Sequence, residues 1–277
     1  MNYKKMALIP IALLIMCTIY LIFIIQTNQL ALDIDFKGGT QIIADYDKQI
    51  NEAEVENILS KYNTNIRTSK GVTTYTVFIE FDASINAEDI LKTLKENGYE
   101  FEDYSIQTTG SALGSEFFQQ AGIVLLISFI FMSITIFFIF KVPLPSFFMV
   151  LVVISDLIET LAFTQILGFK LSLATFASLL LLIGYSVDDN ILMASRMLKI
   201  TGKNQKTYDS VIKRSFKTGI TMVGTAIVAL FALFIISTSV VIDQIASTLI
   251  IGLLIDLLNS WIMNAGLMVW FVERKVK

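Results

Sequence analysis

Residues 171–196 read LSLATFASLLLLIGYSVDDNILMASR. The stretch is apolar almost throughout. At about 1.5 Å rise per residue, about 20 such residues cross a hydrocarbon core of roughly 30 Å. Yet it carries Asp188 and Asp189 side by side. A carboxylate inside a span costs roughly 2.5–3.5 kcal/mol on insertion scales. A sequence that tolerates two must neutralise, pair or hydrate them, and the other apolar runs can be read as the answer to that problem.

Five further runs accompany this one. The spacing predicts membrane-spanning helices over 6–25, 118–140, 146–167, 171–195, 218–236 and 245–272. The first, preceded by Lys4 and Lys5, is longer than a typical signal-peptide core and is followed by no small-x-small cleavage site, so it reads as a retained anchor. Pro143 and Pro145 separate the second and third spans, and 168–170 forms a tight turn. Of the whole chain 55% is hydrophobic and 16% charged, where a soluble domain carries about 25% charged residues. The net charge of −3 argues against a nucleic-acid partner. One cysteine, Cys17, excludes an intrachain disulfide, and the absence of histidine excludes His-ligated metals, Ser-His triads and histidine proton relays. No metal or cofactor is expected.

Residues 26–117 change character. Charges return and no segment is apolar enough to span. Alternation over 40–46 and 72–81 predicts strands, 51–63 and 87–97 predict helices, and 99–107 offers a last strand. The order, with one further strand in the middle, predicts a small α+β domain with helices on one face of an antiparallel sheet. Gly110–Glu116 is expected to be a linker and cap into the second helix, and Asp35-Phe36-Lys37-Gly38-Gly39-Thr40 a tight turn into a strand. No helix or GK[ST] follows those glycines, so they do not form a phosphate-binding loop.

Basic residues orient the spans. Lys4, Lys5, Lys141, seven bases within 196–217 and Arg274, Lys275 and Lys277 fall on one side. By the positive-inside rule both termini and the loop 196–217 are cytoplasmic and the domain 26–117 is exterior.

The carboxylates Asp156 and Glu159 (third span), Asp188 and Asp189 (fourth) and Asp256 (sixth) lie in helices with other polar residues at helical spacing. Thr160 follows Asp156 and Glu159. Ser178, Tyr185 and Asp189 share a side, flanked by Ser186. Thr218, Thr221 and Thr225 mark the fifth span, and Asn259, Ser260 and Asn264 follow Asp256. Facing stripes would build a polar core inside the bundle. Only Arg214 and Lys217, at the entrance to the fifth span, are expected to reach it, with Arg214 near the depth of Asp189. With acids outnumbering bases, some carboxyls must carry protons, as a proton relay requires. Blander readings stand beside this one: Asp188 and Asp189 as the polar end of a helix, Glu159 and Asp256 as packing glue, the threonines as close-packing surface, Arg214 as one more orienting charge.

DFKGGT after the first span, QTTGSALGSEF before the second and GYSVDDN in the fourth resemble the SecF members of the SecD/SecF family, in the same order over nearly the whole chain. The resemblance implies six membrane helices with a ferredoxin-like exterior domain between helices 1 and 2. These form half of a twelve-span assembly akin to the resistance-nodulation-division transporters. It implies a role in protein export rather than bond-making catalysis. The partners it implies are SecD as obligate heteromer, a SecY/SecE-type channel and the translocating polypeptide, in the cell membrane. The family's relay aspartate falls on Asp189, its third-span aspartate on Asp156 and its fifth-span arginine on Arg214, with Ser215 and Thr218 in its setting. Asp35, Gly38, Gly39, Gly184 and Tyr185 are motif positions. Ser155, Glu159 and Asp188 depart from the usual bacterial residues, as in archaeal members. The other classes are a half-transporter of the same superfamily exporting lipid or small molecules, and a passive scaffold of the channel.

Overall fold

The computed structural model describes residues 3–46, 50–70, 75–101, 103–200, 205–237 and 239–275. They form two compact units. One comprises Leu32–Gly122 with Leu171–Leu173, and the other holds the remaining apolar helices.

In the first unit four strands, β1 (Gly39–Tyr46), β2 (Asn65–Lys70), β3 (Tyr75–Phe81) and β4 (Tyr104–Thr109), form an antiparallel sheet in the order β2-β3-β1-β4. A one-turn helix, α3 (Ile34–Lys37), leads into β1, helix α4 (Glu52–Ile58) connects β1 to β2, and α5 (Ala87–Glu96) connects β3 to β4. The connectivity is therefore β-α-β-β-α-β. Asn51 and Asn86 cap the two helices through their side-chain oxygens, satisfying amides that have no partner inside a helix. Successive strand residues point to opposite faces. Ile42, Ala44, Val77, Ile79 and Phe81 thus meet Val55, Leu59, Ile90 and Leu94 in one core. The opposite face carries a charge cluster around the buried Glu80. Glu80 is 3.0 Å from Lys37 and 2.8 Å from Arg67, and accepts from Gln41 at 3.2 Å. Glu80→Gln is expected to lower the stability of this unit by about 1–3 kcal/mol, because charge-assisted bonds to a buried carboxylate are lost. The loss, measured by chemical unfolding in detergent, is expected to persist at high salt, since a buried group is weakly screened.

The expected start of a strand at Val72 lies outside the described residues. Two boundaries differ from expectation. The supposed linker Gly110–Glu116 is helical from Ser111, where α6 (Ser111–Phe140) begins. The supposed loop 196–217 is helical from Gln205, where α9 (Gln205–Ile236) begins. Both segments are polar N-terminal stretches of long helices, and hydropathy alone counts such stretches as loop.

The second unit contains helices long and apolar enough to cross a membrane. Six occur among the described residues: Tyr3–Gln26, Ser111–Phe140, Pro143–Ile166, Leu173–Met197, Thr207–Ile236 and Val240–Arg274. They are α1 (Tyr3–Met6) continuing into α2 (Leu8–Gln26), α6, α7 (Pro143–Ile166), α8 (Leu173–Met197), α9, and α10 (Val240–Leu258) continuing through a π turn, Asn259–Asn264, into α11 (Ala265–Lys275). Cys17, Leu21 and Ile24 of α2 pack on Ala162 of α7. Leu182 of α8 meets Val223 of α9 and Leu249 and Leu253 of α10. The apolar windows of α7 and α8 are 56% and 44% buried, that of α6 only 6%. The polar helices are thus central, and the apolar surface of α6 needs lipid or another chain to cover it.

Candidate functional site

The carboxylates of three helices converge. Ser155, Asp156, Glu159 and Thr160 of α7, Ser186, Asp189 and Asn190 of α8, and Asp256, Asn259, Ser260 and Asn264 around the π turn are all buried. The Asn259 side-chain amide bridges two acids, donating to Asp156 Oδ1 and Glu159 Oε2, each at 2.9 Å. Ser186 Oγ donates to Asp156 Oδ2 in a short contact. Ser260 Oγ lies 2.9 Å from Asp256 Oδ1 and 3.3 Å from Asn190 Oδ1. Asn264 donates to Asn190 Oδ1 at 2.6 Å. Asp256 Oδ2 has no hydrogen-bond partner among the described residues. Asn259→Leu is expected to cost the bundle about 1–3 kcal/mol. It leaves both Asp156 and Glu159 short of a donor, which thermal unfolding in detergent would detect.

The π turn serves this network. A π turn closes i→i+5 rather than i→i+4. It widens the helix where Asn259, Ser260, Trp261 and Asn264 must all face inward.

Asp189 stands apart from the network. It is 1% exposed, its Oδ2 has no hydrogen-bond partner among the described residues, and its Oδ1 lies 3.1 Å from where a Cβ on Gly219 would stand. That missing Cβ would also be 2.2 Å from the Trp261 ring, so glycine lets α9 approach Asp189 and the indole together. Its neighbour Asp188 faces outward and, with Gly184 and Tyr185, lines a groove of about 480 Å³ also bordered by Met132 and Thr135 of α6.

Three expectations are corrected. Tyr185 is 44% exposed and leaves the α8 stripe, while Ser186 and Asn190 join it. At about 100° per residue, the buried face is centred nearer Leu182 and Ser186 than Tyr185. Thr221 and Thr225 face outward and donate to their own helix, because the inward ridge of α9 is Tyr208, Ile212, Ser215, Gly219 and Val223. Arg214 is exposed and forms no ion pair with Asp189 among the described residues. It lies one residue, about 100°, from the inward Ser215. The guanidinium that reaches α9 is that of Arg196, 3.4 Å from Ser215 Oγ and from Thr218 Oγ1. Sequence reasoning placed Arg196 only among the orienting charges. Its spacing of seven from Asp189, two helical turns along the same face, was the signal for it. Asn190, four after Ser186, was legible in the same way.

A multi-helix membrane protein with a carboxyl-rich core and a small sheet domain inserted after its first helix is the class these features define. Residues 89–274 match the family described as "Protein export membrane protein SecD/SecF, C-terminal". Proteins named "Protein-export membrane protein SecF" are similar along most of the chain. That of Methanolacinia petrolearia is 35% identical, over 98% of this chain and 94% of its own. That of Methanopyrus kandleri is 37% identical, over 88% and 85%, and that of Methanocaldococcus jannaschii 32%, over 98% and 96%. Among solved structures, SecDF of Thermus thermophilus, titled a translocon-associated membrane protein, superposes with a TM-score of 0.79. It is 18% identical and covers 98% of this chain. SecDF in a super-membrane-facing form gives 0.58 over 99%. The chain spans about two fifths of these SecDF chains, 38% and 39%. The chain belongs to the SecF family of protein-export membrane proteins.

Proposed function

We propose that this SecF-family chain works in export as one half of a heteromer with a SecD-type subunit, beside the Sec channel, and that it uses the proton gradient. Asp189 alternates between protonated and ionised states, and Asp156 shares the proton through the network that Asn259, Ser186 and Asp256 complete. Arg214 is a counter-charge on the outer side of α9, where a second subunit would meet it. Each change of charge shifts the packing of α7, α8 and α10, and the shift moves the sheet domain, which acts on emerging polypeptide. In this reading the domain is ferredoxin-like and exterior, and both termini are cytoplasmic. Its β-α-β-β-α-β connectivity and the distribution of lysines and arginines support that placement.

The observation that carries the reading is the burial of Asp156, Glu159, Asp189 and Asp256 in the bundle, none of them in an ion pair among the described residues. Buried carboxyls without a cation favour their protonated forms, which is what a relay needs. The SecDF likeness supports SecD as the partner. The test is export of a secretory polypeptide in proteoliposomes holding this chain, its SecD-type partner and the channel. Collapse of the gradient with a protonophore is expected to remove the stimulation these subunits give. Stimulation that survives collapse would favour a passive scaffold.

A further inference from the structure

The motif Asp35-Phe36-Lys37-Gly38-Gly39 ends a one-turn helix, Ile34–Lys37, and leads into β1, and nothing in the proton network uses it. Besides the Lys37–Glu80 pair, its contacts within the sheet-bearing unit are with the starts of two long helices. Leu32 pairs with Leu171 in a parallel bridge, and the Asp33 amide donates to the Leu171 carbonyl at 2.9 Å. The Asp35 carboxylate accepts the amide of Leu173, the first residue of α8, at 3.0 Å, across 138 positions of sequence. The first amides of a helix have no partner inside it, and a carboxylate there suits the helix dipole. On the other side the motif presses on α6. A Cβ at Gly38 would stand 2.5 Å from Ser111 Cα, one at Gly114 would stand 2.9 Å from the Gly38 nitrogen, and Phe36 meets Phe118 edge-on at 5.5 Å.

Helix α8 runs unbroken from Leu173 to Met197 and carries Asp189 sixteen residues from its capped end, about 24 Å along its axis. We infer that Asp35 is a positioning residue: its bond to the Leu173 amide fastens the sheet domain to the helix that bears Asp189 and carries movement of that helix into the domain. The inference rests on the reading of Asp189 as the relay. The glycines allow the close approach, the bridge at Leu171 sets the register, and the carboxylate closes the tie at the helix end.

The test uses the full chain in liposomes with its SecD-type partner, spin-labelled at two exposed positions, Lys92 and Lys141. Asp189→Asn is expected to shift the distance distribution from that of the Asp189 form. In an Asp35→Ala background the shift is expected to disappear, gradient stimulation of export to fall at least threefold, and amide exchange at 173–176 to quicken. Asp35→Asn keeps a side-chain acceptor and is expected to restore all three. A shift that survives Asp35→Ala, or an Asp35→Asn chain that behaves as Asp35→Ala does, overturns the inference. Identical distances with and without Asp189→Asn, at an intact Asp35, would instead sink the relay reading and the coupling with it. The two failures differ in whether the response is present before Asp35 is altered.

Discussion

Asp189→Asn is expected to abolish the response of export to the proton gradient while leaving the chain folded in the membrane. Asparagine has nearly the shape of aspartate, and Asp189 Oδ2 has no partner among the described residues to lose. The substitution therefore removes a titratable site more than it removes structure. One charge crossing a 100 mV potential is worth about 2.3 kcal/mol, enough to bias a two-state packing equilibrium by more than tenfold. Stimulation by an imposed gradient should fall to the level seen with a protonophore, with Asp189→Glu keeping part of it. Asp188→Asn is the matched control. Asp188 faces outward along the α6–α8 groove, and its loss is expected to leave gradient dependence near normal. Equal effects from the two substitutions would refute the assignment to Asp189.

Gly38→Ala is expected to be the most damaging single change in the sheet-bearing unit, at about 2–6 kcal/mol. Two independent costs add. Gly38 has φ +77° and ψ 165°, a region essentially reserved for glycine, where a Cβ costs about 1–3 kcal/mol. That Cβ would also stand 2.5 Å from Ser111 Cα and 2.7 Å from Ser111 N. These are backbone atoms at the start of α6 that cannot swing aside, and overpacking costs about 1–3 kcal/mol. Gly98→Ala separates the terms. Gly98 has φ +87° but nothing within 4 Å of its missing Cβ, so only the conformational cost applies. Thermal unfolding in detergent should rank Gly38→Ala well below Gly98→Ala, and equal melting temperatures would show that the contact with Ser111 carries no weight.

Much of the architecture was legible because its signals are local. Hydropathy over about 20 residues marks a span whatever surrounds it. Alternation over Thr40–Tyr46 marks a strand, and helical spacing over 51–63 and 87–97 marks the two helices of the domain. The list of acids was legible too, since a carboxylate in an apolar run is anomalous in any fold. The starts of α6 and α9 were not, because their N-terminal stretches are polar and carry no hydropathy signal.

The sequence by itself therefore determined the number and order of the helices, the presence of a β-α-β-β-α-β domain after the first of them, and Asp156, Glu159, Asp189 and Asp256 as the residues needing an explanation. Only the tertiary structure decided how each helix is turned about its axis. It put Tyr185 outside and Ser186 and Asn190 inside, set Arg196 rather than Arg214 against Ser215 and Thr218, and brought Asp35 to the first amide of α8. The physical reason is common to all of these. A polar stripe defines a helix face only to within about a residue's rotation, and one residue is 100°. That rotation is fixed by side chains on neighbouring helices, by the extra residue of a π turn, and by a glycine that admits a tryptophan ring. All of these are contacts between segments far apart in the chain.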